Sequence, residues 1–218
     1  MTTYILNTSQ ANDAQPRFSL DYEAELNDSQ LEVVKRFTGP ILVIAGAGSG
    51  KTRTLTYRVV RMVESGIAPE SILLLTFTRK AAQEMLRRPP ALLDARCEKV
   101  AGGTFHAFAN LTLRRYGKAI NLSPGFTIMD QGDTEDVIKL LVDQGGFGKK
   151  GKTFPKKSTI LSIFGKAVNK SLTIEQVLGK YYLNYLEDAE ELKRLFHQFV
   201  AYKLAHQLLD YDDLLLYT

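Results

Sequence analysis

The chain has 218 residues, 44% hydrophobic and 24% charged, ordinary globular usage that excludes the disordered and fibrous classes. One cysteine and three histidines exclude an internal disulfide and a metal cluster of the usual spacing, and Cys97 is expected in or near the core rather than as a catalytic thiol. The net charge of +4 is unevenly spread: residues 144–174 carry seven lysines and no acid, which places any polyanion-binding surface on one region.

The N-terminus has neither a basic start nor a long apolar stretch, and the strongest apolar runs, ILVIA and ILLL, are far too short to span a membrane. A cytoplasmic address without membrane contact is the expectation. Residues 1–25 are mixed polar with Pro16 and read as a tail or a surface-wrapping segment. Asn27 or Asp28 is placed to cap a helix over 29–37, which Gly39-Pro40 stops. Residues 41–45 are consecutively apolar, predicting a strand covered on both faces. After a glycine-rich turn, Leu55, Val59, Met62 and Val63 recur at helical spacing up to a cap at Gly66.

The unit then repeats. Residues 72–76 read as a strand and 79–88 as a helix, with Pro89-Pro90 preventing continuation. A third strand ends near Thr104, followed by a helix from His106 to Tyr116. This alternation predicts an α/β fold with a parallel sheet flanked by helices. Beyond Gly117 no strong strand pattern returns. Asp130 is placed to cap a helix bearing Val137, Leu140 and Leu141, residues 145–158 form a glycine- and lysine-rich loop, and 159–169 and 186–209 look helical. The expectation is a second, mainly helical subdomain.

The segment AGAGSGKT at 45–52 carries the chemistry. A triphosphate needs several donors at once, and Gly46, Gly48 and Gly50 let consecutive backbone N–H groups point inward without Cβ obstruction. Ala45, Ala47 and Ser49 complete the loop, Lys51 reaches the β- and γ-phosphates, Thr52 ligates Mg²⁺, and the following helix adds its dipole. The general pattern begins with glycine where this chain has Ala45. The alternative is a chance glycine-rich turn, against which stand the apolar run before it and the amphipathic helix after it.

Such a loop does not name a reaction. Three further segments do: LNDSQ at 26–30, LLLTFTRKAAQEM at 73–85 and GTFHAFA at 103–109. In this order and spacing, with AGAGSGKT, they closely resemble the N-terminal part of the UvrD/Rep/PcrA helicases of superfamily 1. The resemblance begins near Tyr22 and is strongest before residue 110. It implies a RecA-like P-loop NTPase domain over 26–116, a helical insertion over 117–205 and a return to the first domain at 206–218.

By that resemblance Gln30 reads adenine, a role its amide suits by pairing with both a donor and an acceptor. Arg53 either contacts nucleotide or stays a solvated helix arginine. TFTRKAA and GTFHAFA match segments on the single-stranded DNA face, which assigns Phe77, Phe105 and His106 to stacking and Thr78, Arg79 and Thr104 to phosphate. Core packing remains the alternative for each phenylalanine, and Arg79 stands where many relatives carry asparagine. The loop lysines Lys149, Lys150, Lys152, Lys156 and Lys157 either face duplex at the fork or are merely solvated.

Hydrolysis also needs an acid for Mg²⁺ and a carboxylate to position water. LLDYDDLLLY at 208–217 has its apolar residues after Asp212 and Asp213, the reverse of the strand-then-acid order required. The expectation is therefore an N-terminal fragment of an ATP-dependent DNA helicase moving 3′ to 5′, inactive alone. Its ligands are ATP, Mg²⁺, single-stranded DNA and a duplex junction, and its partner is the remainder of the helicase chain with the second RecA-like domain. A non-catalytic nucleic-acid-binding module with a structural P-loop is the competing reading, and a small P-loop kinase or GTPase a third.

Overall fold

The computed structural model describes residues 19–148 and 154–218. These form a mixed helix and strand protein with two small parallel sheets. The chain divides into two compact units, the first ending at Thr104 and the second spanning Phe105–Thr218.

In the first unit Asp21 starts the single-turn helix α1 (Tyr22–Glu25) by accepting from the Ala24 amide. Asn27 caps α2 (Asp28–Lys35), with Gln30 returning a bond to the Asn27 amide. The helix ends at Lys35, short of the expected 37. Residues 41–45 do not form the expected covered strand, and Leu42 and Ile44 are 86% and 90% exposed. Apolar character alone does not make a strand: its amides and carbonyls need a ladder partner, and none of the described strands pairs with this segment.

Helix α3 (Lys51–Glu64) buries two flanks. Tyr57 and Val60 pack with Tyr22, Leu26 and Val34, while Val59 and Val63 pack with Ile72, Cys97 and Val100. Each such side chain stabilises the unit by roughly 1.5–3 kcal/mol. Leu55, expected on the buried face, is exposed. The helix closes at Gly66, whose φ is +88° and whose N–H bonds the Val63 carbonyl.

Strand β1 (Leu73–Thr76), helix α4 (Arg79–Leu92) and strand β2 (Ala101–Thr104) make a βαβ unit with Thr76 opposite Thr104. A Cβ on Gly102 would lie 2.7 Å from the Leu74 carbonyl oxygen and 2.8 Å from the Leu86 side chain, so this position admits only glycine. Contrary to expectation, α4 runs through Pro89 and Pro90. Proline removes a donor but keeps its carbonyl, and that of Pro89 still accepts from Leu93 at 3.0 Å. Cys97 is buried in the short 3-10 turn before β2, and burial pushes its thiol pKa up.

The second unit starts with α5 (Phe105–Tyr116) and the two-residue strand β3 (Thr127–Ile128). Asp130 caps α6 (Gln131–Gly145) as expected, and α7 (Lys157–Lys170) follows. Helix α8 (Ile174–Tyr181) was not foreseen, although Thr173 and Gln176 form a complete capping box at its start. Helix α9 (Ala189–Ala205) leads to β4 (Leu208–Leu209) and α10 (Tyr211–Leu216). Strand order did return here, since β3 and β4 pair in parallel.

Helices α6 to α9 enclose a core in which Ile138, Ile163, Leu178, Leu192 and Leu195 are fully buried. A second cluster joins Ala109 and Leu113 of α5 to Phe126, Leu209 and Leu214. At its margin Lys203 of α9 is buried and donates to the carboxylates of Asp210 and Asp213, each at 2.6 Å. Burial pushes the Asp213 carboxyl above its usual range, and neighbouring Asp210 adds to this against the pull of Lys203.

Candidate nucleotide and nucleic-acid site

The glycine-rich loop at 45–52 is exposed along most of its length and ends in the first turn of α3. Gly48 and Gly50 sit at φ +78° and +80°, and a Cβ on Gly50 would lie 2.8 Å from Gln30 Nε2. Gly50 is the N-cap of α3 and brings no side-chain acceptor to the first-turn amides. That is the arrangement in which a helix N-terminus takes an anion.

Two polar side chains brace the loop. Gln30 Nε2 donates to the Ser49 carbonyl at 3.1 Å, while its Oε1 accepts from the Asn27 amide at 3.2 Å. An amide offers two donors and two lone pairs, so Gln30 keeps one of each for a ligand while its plane is fixed by α2 and the loop. Lys51 Nζ donates back to the carbonyls of Ala45 and Gly46 at 2.9 and 2.6 Å, and Ser49 Oγ donates to Gly46 at 2.8 Å. An incoming phosphate therefore exchanges for bonds the lysine already makes. Thr52 is exposed, and its carbonyl accepts from Thr56 Oγ1 at 2.9 Å.

Arg53 lies one turn before Tyr57 and 5.2 Å from its ring centre. It donates to the Glu25 carboxylate and, at 2.9 Å, to the Glu25 carbonyl, while Tyr57 Oη donates to the same carboxylate at 2.9 Å. One signal for this trio is present in the residue order, the i to i+4 spacing of Arg53 and Tyr57. Glu25, 28 residues away from Arg53, carried none.

At the carboxyl ends of the paired strands, where open parallel sheets bind ligands, Phe77, Thr78 and Arg79 follow β1 and Thr104 ends β2. Phe77 is 87% exposed, which removes the core-packing alternative for it. Thr78 Oγ1 accepts from the Ala81 amide at 3.2 Å as the N-cap of α4, leaving its hydroxyl proton to donate. Arg79 is exposed in the first turn. In the second unit Phe105 opens α5 and is 39% exposed, and His106 meets Tyr211 edge-on at 5.7 Å.

Of the loop lysines, Lys149, Lys150 and Lys152 lie outside the described residues. Lys156 is exposed at the start of α7, and Lys157 pairs with Asp136 at 2.9 Å and Glu135 at 3.6 Å. Asp212 and Asp213 lie in helix α10 rather than at a strand end, as the order of residues there predicted. Among the described residues no group of three or more histidine, cysteine or carboxylate side chains is placed to hold a metal, and no helix is long and apolar enough to cross a membrane.

Comparison with known proteins bears on the same residues. The UvrD/REP helicase N-terminal domain matches residues 26–218. The ATP-dependent DNA helicase PcrA of Bacillus subtilis (strain 168) is 38% identical over 202 residues, 88% of this chain and 25% of the relative. PcrA of Leuconostoc citreum is 36% identical over 200 residues with the same coverage, and PcrA of Staphylococcus aureus (strain Mu50) is 43% identical over 115 residues, 52% of this chain. The chain spans about a quarter of the length of the first two relatives.

Proposed function

The chain belongs to the UvrD/REP helicase family, and from that premise we propose that it is the ATP- and single-stranded-DNA-binding part of an ATP-dependent 3′ to 5′ DNA helicase. In this reading residues 26–116 are a RecA-like domain, 117–205 its helical insertion and 206–218 the return to the first domain. The remainder of the helicase chain, with a second RecA-like domain, completes the site, and the enzyme works in the cytoplasm. The observation that carries the reading is the glycine-rich loop at the head of α3, flanked by Lys51 and Gln30.

Loop amides and the α3 N-terminus hold the phosphates, and Lys51 leaves the carbonyls of Ala45 and Gly46 for the β- and γ-oxygens. The free donor and lone pair of Gln30 meet the adenine edge. Thr52 Oγ1 fits Mg²⁺ as a hard oxygen ligand, the phosphates and water supplying the rest, and the ion when bound neutralises phosphate charge. Phe77 and Phe105 stack bases, while Thr78, Arg79 and Thr104 hold the DNA backbone. The 218 residues alone hydrolyse ATP slowly, because Asp212 and Asp213 lie in helix α10 and not at the end of a strand where they could hold Mg²⁺ or position water.

The test is titration with fluorescent adenine and guanine nucleotides. Adenine is preferred, Lys51→Ala lowers affinity at least about tenfold, and Gln30→Ala removes the base preference. Equal binding of both bases with no effect of Lys51→Ala overturns the reading. The same lysine contacts favour a second reading, a non-catalytic nucleic-acid-binding module whose P-loop is structural, since Lys51 is satisfied by the loop itself. In that case Lys51→Ala lowers stability and leaves nucleotide affinity at background.

A further inference from the structure

The turn before α2 carries one carboxylate to the first turn of α3. Tyr22 and Leu26 are buried against Tyr57 and Val60, with the Tyr22 and Tyr57 rings edge-on at 6.1 Å. The Leu26 amide donates to the Tyr22 carbonyl at 3.1 Å and closes the turn. Glu25 stands between these two anchors, so its carbonyl and its carboxylate are both brought to a fixed place. Arg53 takes both acceptors through one nitrogen, Nη2, which donates to the Glu25 carbonyl at 2.9 Å and to the carboxylate. Tyr57 Oη donates to the same carboxylate at 2.9 Å and lies 3.5 Å from that Nη2. Burial and the bond to Glu25 raise the Tyr57 phenol pKa, which keeps the hydroxyl a donor. Among the described residues Nε and Nη1 of Arg53 donate to nothing, so their N–H groups remain for a ligand.

These contacts add little to stability. The side chains of Arg53 and Glu25 are 49% and 47% exposed, and water screens a pair so placed. What the contacts fix is orientation. An arginine free in water spreads over many rotamers and must be ordered when it meets a ligand, whereas one anchored beforehand avoids that loss. Its place is beside the nucleotide loop. A Cβ on Gly50 would lie 2.8 Å from Gln30 Nε2 and 3.9 Å from Arg53 Cβ, so the two side chains flank the last glycine of the loop. The family match begins at residue 26, one residue past Glu25, and the role of Glu25 is read from its contacts alone.

We propose that Glu25 is a positioning residue for nucleotide binding: it anchors Arg53 by Nη2, so that the guanidinium presents its Nε–Nη1 edge to the ligand beside Gln30. The inference rests on the proposed adenine-nucleotide site and adds to it a residue that touches no ligand. A guanidinium plane stacks on either purine, and its donors pair with phosphate oxygens whatever the base. Anchoring Arg53 therefore strengthens binding without choosing the base, a choice that stays with Gln30.

The test is titration of the whole chain with fluorescent adenine and guanine nucleotides, alongside urea unfolding. Glu25→Ala weakens both nucleotides by the same factor, about three- to tenfold, the usual cost of ordering one long side chain on binding, and leaves the urea midpoint unchanged. Glu25→Gln, which keeps an acceptor at the same reach, retains most of the affinity. In an Arg53→Ala background Glu25→Ala has no further effect, because nothing is left for it to hold. Full or increased affinity in Glu25→Ala, while Lys51→Ala still loses at least about tenfold, overturns the positioning role and leaves the proposed function standing. Full affinity in Arg53→Ala has the same meaning. An equal loss with and without Arg53, or a lowered urea midpoint, overturns it in favour of a packing role for α1. A loss confined to adenine overturns it by moving the effect to Gln30. A chain that binds neither nucleotide above the Lys51→Ala background brings down the positioning role and the proposed function together.

Discussion

The two units solve the same problem in opposite ways. In the second, α6 to α9 each bury a face against the others, Phe164 packs edge-on to Phe196 at 4.9 Å, and even a lysine is taken inside with two carboxylates around it. In the first, the apolar residues before the nucleotide loop lie in the open, the loop itself is exposed, and its key side chains are held by hydrogen bonds to backbone groups. One region is built to stay as it is and the other to exchange its internal partners for a ligand.

The largest expected effects fall in the second unit. Phe164→Ala removes about 3–5 kcal/mol by urea unfolding, the usual range for emptying a buried aromatic site. Lys203→Met leaves the buried Asp213 and the half-buried Asp210 without their cation and costs about 3–5 kcal/mol. Losses under about 1 kcal/mol for both would erase the contrast. In the first unit Gly50→Ala costs about 1–2 kcal/mol, because alanine strains at φ +80° and its methyl meets Gln30 Nε2. Its nucleotide affinity should drop further than its stability does.

A pH series sharpens the role of the buried charges. The native pKa of Asp213 is raised above its unfolded value, so the folded state binds that proton more tightly and the stability it adds is present at low pH. That contribution is lost as pH rises through the native value. Asp213→Asn does not titrate, so its stability relative to wild type should improve from pH 4 upward. A flat difference would place the native pKa at the ordinary value. The smallest effect is expected at Leu42→Ser and Ile44→Ser, within about 0.5 kcal/mol, because both side chains are already in water.

What could be read in the residue order was mostly local. Asn27 and Asp130 announce their helices because a cap acts within three residues, and the amphipathic spacing of Val59 and Val63 sets the buried face of α3. Pro89-Pro90 misled because helix-breaking rules weigh the lost donor and not the packing that holds α4 against β1 and β2. The Thr173–Gln176 capping box is equally local and marks the start of α8 in the same way.

The pairing of β3 with β4 joins residues about 80 apart through two positions each, too little pattern for any periodicity to show. The site divides likewise. The glycines and Lys51 are legible from chemistry alone, Gln30 only through the helicase resemblance, and Glu25 not at all, since a carboxylate 28 residues before its arginine partner leaves no trace in spacing.

Cys97 is the chain's one thiol, it is sealed in the first unit, and its raised pKa keeps it protonated. Alkylation therefore waits for that unit to open. The rate at which a maleimide or disulfide reagent consumes the thiol becomes a clock for breathing around α3 and β2, without any introduced label. Because the second unit contains no thiol, the clock is blind to it, and ligand-induced slowing of the reaction reports ordering of the first unit alone.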